Sequence, residues 1–596
     1  MALRSRALLT VGLLSVCCGW VFAACSDSTG PQTNAVATIT ITPSQTTVPV
    51  GGSRRFSAVP RDALGVPLQG IAVSFSSSDT SVATVSASGL ATGRKSGTVQ
   101  IQATAGGASA SGSLEVTPGS ASTYHLIFST LLGGSQQDQV RDLATDAQGN
   151  IYAAGGSRSP DFPTTPGAYD ETPNGNYDAY VAKFDPNGNL IWSTVVGGPN
   201  YDRAYAVEVD PQGYVYIAGR AGAGFPVTSG AFQTTFQGSP DVAPYGPQDG
   251  FVCKLTPDGA AVVFCSYFGT TDHNIIRDLA VDAQGGIYLA TSVTGTALPA
   301  AWTANGYQPT PRGGTDAVAA KIATDGSAVL WATYVGGSGE EVSENSIRVD
   351  GSGNVFLLTT TNSPDAPTPN GFDHSLGGLR DAYLVKISPD GGTLLFGTFI
   401  GGSGGESIET HELAVDPQGN PVVASGTTST DFPVTASAFQ TQFSGSGGSN
   451  SGQGSNYGGD GFIARISSNG ASLLAATYLG GSSGDGIEGV SADASGIYVS
   501  GATYSTDFPT PAGAFQGTMA GVADLFVAKL SPDLSTMIYG SYLGGSNQDY
   551  GRTSTIDGAG NVIIGGNVQS TDWPALNAWQ PNAGGLLDGA IAKFGE

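Results

Sequence analysis

The chain has 596 residues, which is too long for one ordinary domain and leaves room for several domains or for a repeat array. Glycine accounts for 89 residues and charged residues for only 12%, while 40% are hydrophobic, so the composition excludes a disordered chain and indicates an all-β protein. The formal net charge of −25 would repel nucleic acid, and we expect no nucleic-acid partner.

The chain opens on a targeting segment. Arg4 and Arg6 precede an apolar stretch over residues 7–21, and small residues ending at Ala24 precede Cys25. The stretch is shorter than the ~20 residues that a membrane span needs. The pattern resembles a bacterial lipoprotein signal peptide, which implies cleavage after Ala24 and lipidation of Cys25. Ordinary secretion after Ala24 is the alternative.

This interpretation sets the expected location of the mature protein. Residues 1–24 would be removed and residues 25–34 would form a polar tether. We therefore expect an exported protein that is lipid-anchored to the cell envelope, at the outer membrane or the cell surface. Its contact with the membrane would be through the anchor alone.

Residues 35–118 alternate apolar and polar residues in short runs separated by Gly, Pro and Asp turns. The segment resembles group 2 bacterial Ig-like domains through the runs ITPS, VGGSRRFSA, SSSDTSVATVS, GLATG and GTVQIQATA. The resemblance implies a small β-sandwich that serves as a spacer or an adhesive module.

Residues 123–596 repeat one phrase, which reads DAYVAKF from Asp178 and DLFVAKL from Asp524. Its basic residue marks seven copies, at Lys183, Lys254, Lys321, Lys386, Arg465, Lys529 and Lys593. Each copy holds four strand signals joined by Gly, Asn and Asp turns, such as RDLATDA, NIYAAGG, DAYVAKF and LIWSTVV in the first copy. Four-stranded units repeated in this way are typical of β-propeller blades.

The two ends of the array predict how the ring closes. The last copy stops after its third strand, and the array begins with an orphan strand, HLIFSTLLGG, at His125. Pairing the two completes a seventh blade and removes an open edge. The array also resembles the SBBP repeat family through STLLGGS, DLATDAQGNIYAAG, DFPTTPGAY and DAYVAKF. The sequence thus predicts an Ig-like β-sandwich followed by a seven-bladed β-propeller, closed by its N-terminal strand.

Two aspartates recur in every copy, one after the first strand and one at the start of the third. They are Asp146, Asp210, Asp282, Asp350, Asp416, Asp493 and Asp557, and Asp178, Asp249, Asp316, Asp381, Asp460, Asp524 and Asp588. We interpret them as turn and loop acceptors, because an active site needs unlike groups at one place. The histidines lack the spacing of a zinc pair. We predict no catalytic residue and no cofactor.

The long loops of the repeats all lie on one predicted face of the propeller, together with the links between blades. This face carries two insertions, at residues 234–248 and 441–459, and we expect it to bind the ligand. An acid recurs in the links, at Asp138, Asp202, Asp272, Glu341, Glu406, Asp485 and Asp549. These acids are a candidate ring at the channel mouth for a ligand or for a cation such as calcium. The alternative is seven separate loop-capping carboxylates.

Cys253 and Cys265 lie on the two strands of one predicted hairpin, each six residues from Gly259. A symmetric hairpin sets them opposite each other, within reach of a disulfide bond. An exported protein meets an oxidising environment, where such a bond persists. Two free thiols packed as small side chains are the alternative.

These observations favour an envelope-anchored binding or adhesion protein whose partner is an extracellular protein or a polysaccharide. One alternative is a propeller enzyme that acts on polysaccharide, as a lyase or a hydrolase. Another is a structural component of the envelope without a discrete ligand. The enzyme hypothesis gains if Tyr201, Arg203, His273 and Arg277 converge at the channel mouth.

Overall fold

The computed structural model describes residues 35–50, 52–68, 70–117, 124–238, 245–272, 274–407, 409–446 and 458–596. The predicted signal peptide, the tether with Cys25, His273 and parts of both long insertions lie outside these ranges. The described chain is built from β-strands, with one short helix, α1 (Ala300–Thr303).

The N-terminal domain is a small β-sandwich with a core of aliphatic residues such as Val99, Ile101 and Leu114. Its strands are β1 (Thr38–Thr42), β2 (Gln45–Pro49), β3 (Ser53–Arg55), β4 (Ser57–Arg61), β5 (Ser74–Ser77), β6 (Ala83–Val85), β7 (Leu90–Gly93), β8 (Gly97–Ala105) and β9 (Ala108–Thr117). One sheet has the order β2-β9-β8-β5, β1 pairs with β4, and β3, β7 and β6 form a third group.

The rest of the chain forms seven antiparallel blades, preceded by β10 (His125–Leu132). Blade 1 is β11 (Asp138–Thr145), β12 (Ile151–Ser157), β13 (Asp178–Phe184) and β14 (Leu190–Val196). Blade 2 is β15 (Arg203–Val209), β16 (Val215–Ala221), β17 (Asp249–Leu255) and β18 (Val262–Phe268). Blade 3 is β19 (Ile276–Val281), β20 (Ile287–Thr294), β21 (Thr315–Ile322) and β22 (Val329–Val335).

The remaining blades follow the same order from the inside outward. Blade 4 is β23 (Glu341–Val349), β24 (Val355–Thr361), β25 (Asp381–Ile387) and β26 (Leu394–Ile400). Blade 5 is β27 (Glu406–Ser407), β28 (Leu413–Val415), β29 (Pro421–Thr427), β30 (Asp460–Ile466) and β31 (Leu473–Leu479). Blade 6 is β32 (Asp485–Ala492), β33 (Ile497–Thr503), β34 (Asp524–Leu530) and β35 (Met537–Leu543), and blade 7 begins with β36 (Asp549–Ile556), β37 (Val562–Val568) and β38 (Asp588–Gly595).

The N-terminal strand completes blade 7. Strand β10 pairs antiparallel with β38, for example Leu131 opposite Ala590, so the sheet order is β10-β38-β37-β36. On the inner side, β11 of blade 1 contacts β36 of blade 7 as well as β15 of blade 2. The first strand of each blade therefore lines a central channel, and the last blade is joined to the first.

The recurrent residues hold each blade together. In blade 1, Asp146 accepts the backbone amides of Gln148 and Asn150, which closes the turn through Gly149 at a φ of 79°. The Nζ of Lys183 lies 3.8 Å from the Asp146 carboxylate, and equivalent pairs recur in blades 2, 3, 4, 5 and 7. In six blades the repeated phrase thus supplies a partly buried ion pair between the turn after the first strand and the third strand.

Cys253 and Cys265 face each other on β17 and β18 and form a disulfide bond, with their Cα atoms 4.1 Å apart. Both side chains are fully buried in the core between blades 1 and 2. The bond links the third and fourth strands of blade 2.

The sandwich docks on the outer edge of the propeller. Ser53 of β3 pairs with Met537 of β35, so the sandwich extends the sheet of blade 6 by the strands β3, β7 and β6. The buried Arg54 donates to the carbonyl oxygens of Ser437 and Ser535, in blades 5 and 6. An added strand covers an edge that would otherwise stay open for pairing.

Candidate functional site: the central channel

The innermost strands carry β-bulges that break the alternation of side chains. The register of pairing skips one residue in five of the seven blades, at Arg141, Tyr205, Arg277, Glu488 and Arg552. A bulged residue is left unpaired and bends its strand. In blade 4 the skipped segment is residues 343–345, and in blade 5 residues 408–412 separate β27 from β28. Unlike side chains therefore meet around the channel axis.

These side chains divide the channel by charge. Arginines come from blades 7, 1 and 3, and glutamates come from blades 4, 5 and 6, at Glu344, Glu409 and Glu488. Arg277 pairs with Glu344 at 2.8 Å and Arg552 pairs with Glu488 at 2.5 Å. Burial, together with the charges of Glu344 and Glu488, raises the pKa of Glu409 to about 8.

Tyr205 lies at the centre of the arginine side. Its ring stands within 4.6 Å of the Arg203 guanidinium carbon and 4.7 Å of that of Arg277, with Arg141 and Arg220 slightly farther away. Arg203 also donates a hydrogen bond to the Tyr205 hydroxyl. Burial disfavours the phenolate, but the four guanidiniums outweigh it and lower the pKa of Tyr205 to about 7.

A pocket of about 620 Å³ opens beside this cluster, on the face that carries the long loops. Its lining combines amides, arginines and tyrosines: Gln137, Gln139, Arg158, Asn176, Tyr177, Asn200, Tyr201, Arg203, Tyr245 and Gly246. Tyr245 belongs to the insertion at residues 234–248, so the longer loop of blade 2 contributes directly to this pocket.

Two buried arginines lie at this pocket: Arg203 is part of its lining, and Arg220 packs against the rings of the lining residues Tyr201 and Tyr245. Arg203 is 7% exposed and Arg220 is 3% exposed, and within the described ranges no carboxylate oxygen lies within 4.0 Å of either guanidinium. Their hydrogen-bond partners are neutral or phenolic: Gln139 and Tyr205 for Arg203, and Tyr201 for Arg220. A buried cation without a carboxylate partner is costly, and of the groups bonded to these arginines only Tyr205, whose pKa is lowered to about 7, can ionise near neutral pH. The excess of positive charge marks an anion site.

Aromatic rings hold these arginines in place. The Arg220 guanidinium carbon lies 3.8 Å from the ring centre of Tyr245 and 4.6 Å from that of Tyr201. Tyr201 in turn stacks on Tyr177, with ring centres 4.7 Å apart. The rings fix the orientation of the cations without neutralising their charge.

A second layer of unlike groups lies deeper in the channel. Asp142, Asp278 and His411 come from blades 1, 3 and 5, are all buried, and bring three potential ligand atoms within 4.8 Å of one another. A cavity of about 330 Å³, which Asp142, Glu208 and Arg348 help to line, borders this layer.

The recurrent link acids lie between the blades, not at the channel mouth. Asp138, Asp202, Glu341, Glu406, Asp485 and Asp549 are at most 2% exposed. Asp138, for example, accepts the amide of Gly134 and the hydroxyl of Ser159. In the third link, Asn274 takes this buried position and accepts from Thr270, whereas Asp272 is partly exposed and accepts the Thr296 amide. The ring expected from the sequence is therefore a set of separate loop caps.

Three of the four residues expected to converge do so. Arg203 and Arg277 flank Tyr205, and Arg203 also lies 5.8 Å from the ring centre of Tyr201. His273 lies outside the described residues. Sequence reasoning missed Arg220, although the other copies place Gly156, Ser292, Thr360, Gly426, Ala502 and Asn567 at its position. The signal was a charged residue at a position where the six other copies have neutral residues.

Comparison with known families agrees with this architecture. The family model of the bacterial Ig-like domain (group 2) matches residues 35–116. The β-propeller repeat model matches residues 127–163. The chain combines these two modules.

Individual relatives are distant. The regulatory protein FlaEY of Caulobacter vibrioides is 22% identical over 282 residues, which are 47% of this chain and 25% of that protein. The chain thus spans about a quarter of the length of that relative. Within the part of the chain that the structure describes, no helix is long and apolar enough to cross a membrane.

Several solved structures are similar over most of the chain. BamB from Moraxella catarrhalis has a TM-score of 0.33 at 12% identity and covers 80% of this chain and 100% of its own. The quinohemoprotein alcohol dehydrogenase of Comamonas testosteroni has a TM-score of 0.35 at 10% identity, with 79% and 76% covered. A polysaccharide lyase of family PL25, an ulvan lyase, has a TM-score of 0.39 at 12% identity, with 73% and 93% covered. Structural similarities this low do not indicate which ligand the chain binds.

Proposed function

We propose that the propeller binds an acidic polysaccharide through the pocket at the mouth of its channel, and that the Ig-like domain holds this recognition head on an envelope-anchored protein. One observation carries the proposal: Arg203 and Arg220 are buried beside an open pocket, and the described residues offer them no carboxylate. A carboxylate or sulfate group of the ligand would supply the missing negative charge.

The rest of the pocket suits a sugar. Its volume of about 620 Å³ falls in the ~300–1,000 Å³ range of small-ligand sites, large enough for a few sugar units of a longer chain. Tyr177, Tyr201 and Tyr245 offer flat faces with polar tips, and Asn176 and Asn200 offer amides that both donate and accept. The chain as a whole has a net charge of −25, which would repel acidic polymers, so binding depends on this local cationic site.

An array of acidic, sulfated and neutral glycans, probed with the full chain, tests the proposal. We expect binding to uronic-acid or sulfated glycans and none to their neutral or carboxyl-reduced counterparts. The variants Arg203→Gln and Arg220→Gln should lose the signal. Arg312→Gln is the matched control, because Arg312 is an exposed arginine in a blade 3 loop. Binding that is indifferent to ligand charge, or equal in all variants, would contradict the proposal.

A second candidate is a lyase for the same class of polymer, and the convergence of Arg203, Arg220 and Arg277 on Tyr205 favours it. Cleavage by β-elimination needs a cation that neutralises the uronate and a base that takes the adjacent proton. The arginines would serve as the first and the Tyr205 phenolate as the second. The phenolate would take the proton from C5, the bond from C4 to the glycosidic oxygen would break as the C4–C5 double bond forms, and the Tyr205 hydroxyl so formed would return the proton to the departing oxygen. Incubation with acidic polysaccharides would then produce the ultraviolet absorbance of an unsaturated uronate. Tyr205→Phe should abolish that absorbance but retain binding, whereas no absorbance with the unaltered chain leaves a binding protein.

We also propose that the mature chain is lipid-anchored at Cys25 and faces the exterior of the cell envelope. The basic start, the apolar stretch and the small residues before Cys25 support this proposal. The variant Cys25→Ala should leave the membrane fraction. If that variant still sediments with membranes after a salt wash, another feature attaches the protein.

A further inference from the structure

The buried group of Asp142, Asp278 and His411 lies deeper in the channel than the proposed anion pocket and does not depend on it. The Nδ1 atom of His411 is 3.4 Å from Oδ1 of Asp142 and 3.6 Å from Oδ1 of Asp278. His411 is 2% exposed, and its Nδ1 atom is buried without a hydrogen-bond partner.

The hydrogen bond at the other ring nitrogen fixes the tautomer of His411. Nε2 lies 2.9 Å from the backbone carbonyl oxygen of Tyr205, which can only accept, so Nε2 carries a hydrogen and donates. In the neutral ring, the lone pair then resides on Nδ1 and faces the two carboxylate oxygens. Three electron-pair donors thus converge on one buried point, which calls for a cation between them.

The spacing of the three atoms distinguishes a metal ion from a proton. A proton on Nδ1 would draw a carboxylate oxygen to ~2.7–2.9 Å, the length of a charge-assisted hydrogen bond. Both observed distances are longer, at 3.4 and 3.6 Å. Ligand atoms held about 2.1 Å from a tetrahedral zinc ion lie about 3.4 Å from one another. These two separations fit a shared metal, and the two aspartate oxygens lie within 4.8 Å of each other.

The surrounding contacts resemble the outer shell of a metal site. Asp142 accepts the Val207 amide through Oδ2, and its Oδ1 also accepts the Leu143 amide and the Thr553 hydroxyl. Asp278 accepts the Ile347 amide and the Arg348 guanidinium through Oδ2, and its Oδ1 also accepts the Leu279 amide. A ligating histidine commonly donates its second ring nitrogen to a backbone carbonyl, as His411 does. The neighbouring cavity of about 330 Å³ reaches Asp142, one of the three side chains.

We propose that Asp142, Asp278 and His411 bind one divalent transition-metal ion, with zinc as the preferred ion. An imidazole nitrogen and two carboxylate oxygens form a mixed set that suits zinc better than calcium, which takes oxygen ligands alone. Three protein ligands leave a fourth position for water or for a ligand group. The ion would also link blades 1, 3 and 5 across the channel.

The test measures metal content in the full chain, purified without a polyhistidine tag. The protein is stripped with a chelator, loaded with zinc chloride and freed of excess metal before elemental analysis. We expect one zinc per chain in the unaltered protein and in His374→Ala, since His374 is an exposed loop residue. His411→Ala should lose the zinc, and Asp278→Asn should weaken binding by more than the ~10–100-fold typical of an outer-shell change.

A second measurement covers the case in which His411→Ala does not fold. Cobalt added to the stripped, unaltered chain should produce the visible bands of a tetrahedral site, and an equivalent of zinc should remove them. No zinc and no cobalt spectrum would overturn the proposal and indicate a protonated His411 between the carboxylates. Retention of zinc by a folded His411→Ala variant, or binding of calcium in preference to zinc, would overturn it as well.

Discussion

The junctions between neighbouring blades use residues that repeat from copy to copy, whereas the lining of the central channel uses residues that depart from the repeat. Six of the seven junctions repeat a pair of buried acids, one from the third strand of a blade and one from the next link, and the seventh has Asp249 with Asn274. The channel instead presents arginine from three blades, glutamate from three others and tyrosine from one. Positions that repeat hold the scaffold, and positions that depart from the repeat form the site.

The junction between blades 5 and 6 shows what the repeat achieves. A Cβ on Gly480 would stand 2.4 Å from Oδ1 of Asp460 and 2.8 Å from Oδ2 of Asp485, so glycine is required and both acids face the same point. Burial, opposed by hydrogen bonds, raises the pKa of Asp485 to about 7 and that of Asp460 to about 8. At this junction, burial therefore favours the protonated carboxyl groups.

The scaffold is broken most severely by removing the strand that closes it. Deletion of residues 124–132 takes away β10, exposes the edge of β38 and empties the core positions of Leu126 and Leu131. We expect aggregation or loss of the cooperative thermal transition. Leu131→Ala should cost ~2–5 kcal/mol, and Leu330→Ala, at 52% exposure, is its control. A soluble deletion variant with the parent's melting temperature would contradict the closure.

Breaking one junction acid should reduce stability and leave ligand binding unchanged. Asp549→Ala removes the acceptor of the Gly545 and Gln569 amides and of the Ser570 hydroxyl. Each buried donor left without a partner costs ~1–3 kcal/mol. Denaturant unfolding measures the loss, and a glycan-binding assay on the same sample measures function. Loss of binding in a folded Asp549→Ala variant would contradict the prediction that the junction acids serve stability and not ligand binding.

The junction acids also predict how stability depends on pH. Their pKa values lie above the unfolded value of ~4, so their stabilising contribution is complete below about pH 4 and is lost as the pH rises through about 7–8. We expect a higher melting temperature at about pH 5.5 than at about pH 8.5. Asp485→Asn, which mimics the protonated acid, should flatten this dependence, and Asp325→Asn, in an exposed turn, should not. A melting temperature that rises with pH would refute this prediction.

Cys253 and Cys265 also depart from the repeat, but they lie outside the channel. Their disulfide bond therefore tests whether every departure from the repeat belongs to the binding site. Reduction should add about 2 Da to the intact mass. The double variant Cys253→Ala, Cys265→Ala should lose at most ~3 kcal/mol, because the closed loop is short. Other blades place Ala182 and Ser193 at these positions, so the core accepts small residues. Glycan binding should be unaffected; a loss would assign the bond a role in the site.

Most of the scaffold could be predicted from the sequence, because it depends on local patterns. Tight Gly turns defined the hairpins, the orphan strand at His125 predicted the closure, and counting from Gly259 placed Cys253 opposite Cys265. The docking of Arg54 on blades 5 and 6 carried no such local signal.

The channel could be predicted only in part. Strict alternation cannot reveal a β-bulge, so the convergence of Arg141, Tyr205 and Arg277 was not visible as a pattern. His411 matched no metal-ligand spacing, because its partners Asp142 and Asp278 lie in distant blades. Comparison of the copies position by position would have identified Arg220.

Titration calorimetry with an acidic oligosaccharide, such as an oligogalacturonate, tests most directly whether the buried arginines bind an acidic polysaccharide. We expect saturable binding by the unaltered chain and by Arg312→Gln. A folded Arg220→Gln variant should bind at least ~10-fold more weakly, which corresponds to ~1.4 kcal/mol. Asp549→Ala should bind with unchanged affinity under conditions in which it is folded. Equal affinity in Arg220→Gln and the unaltered chain would contradict the account, because the buried arginines would then not be the binding site.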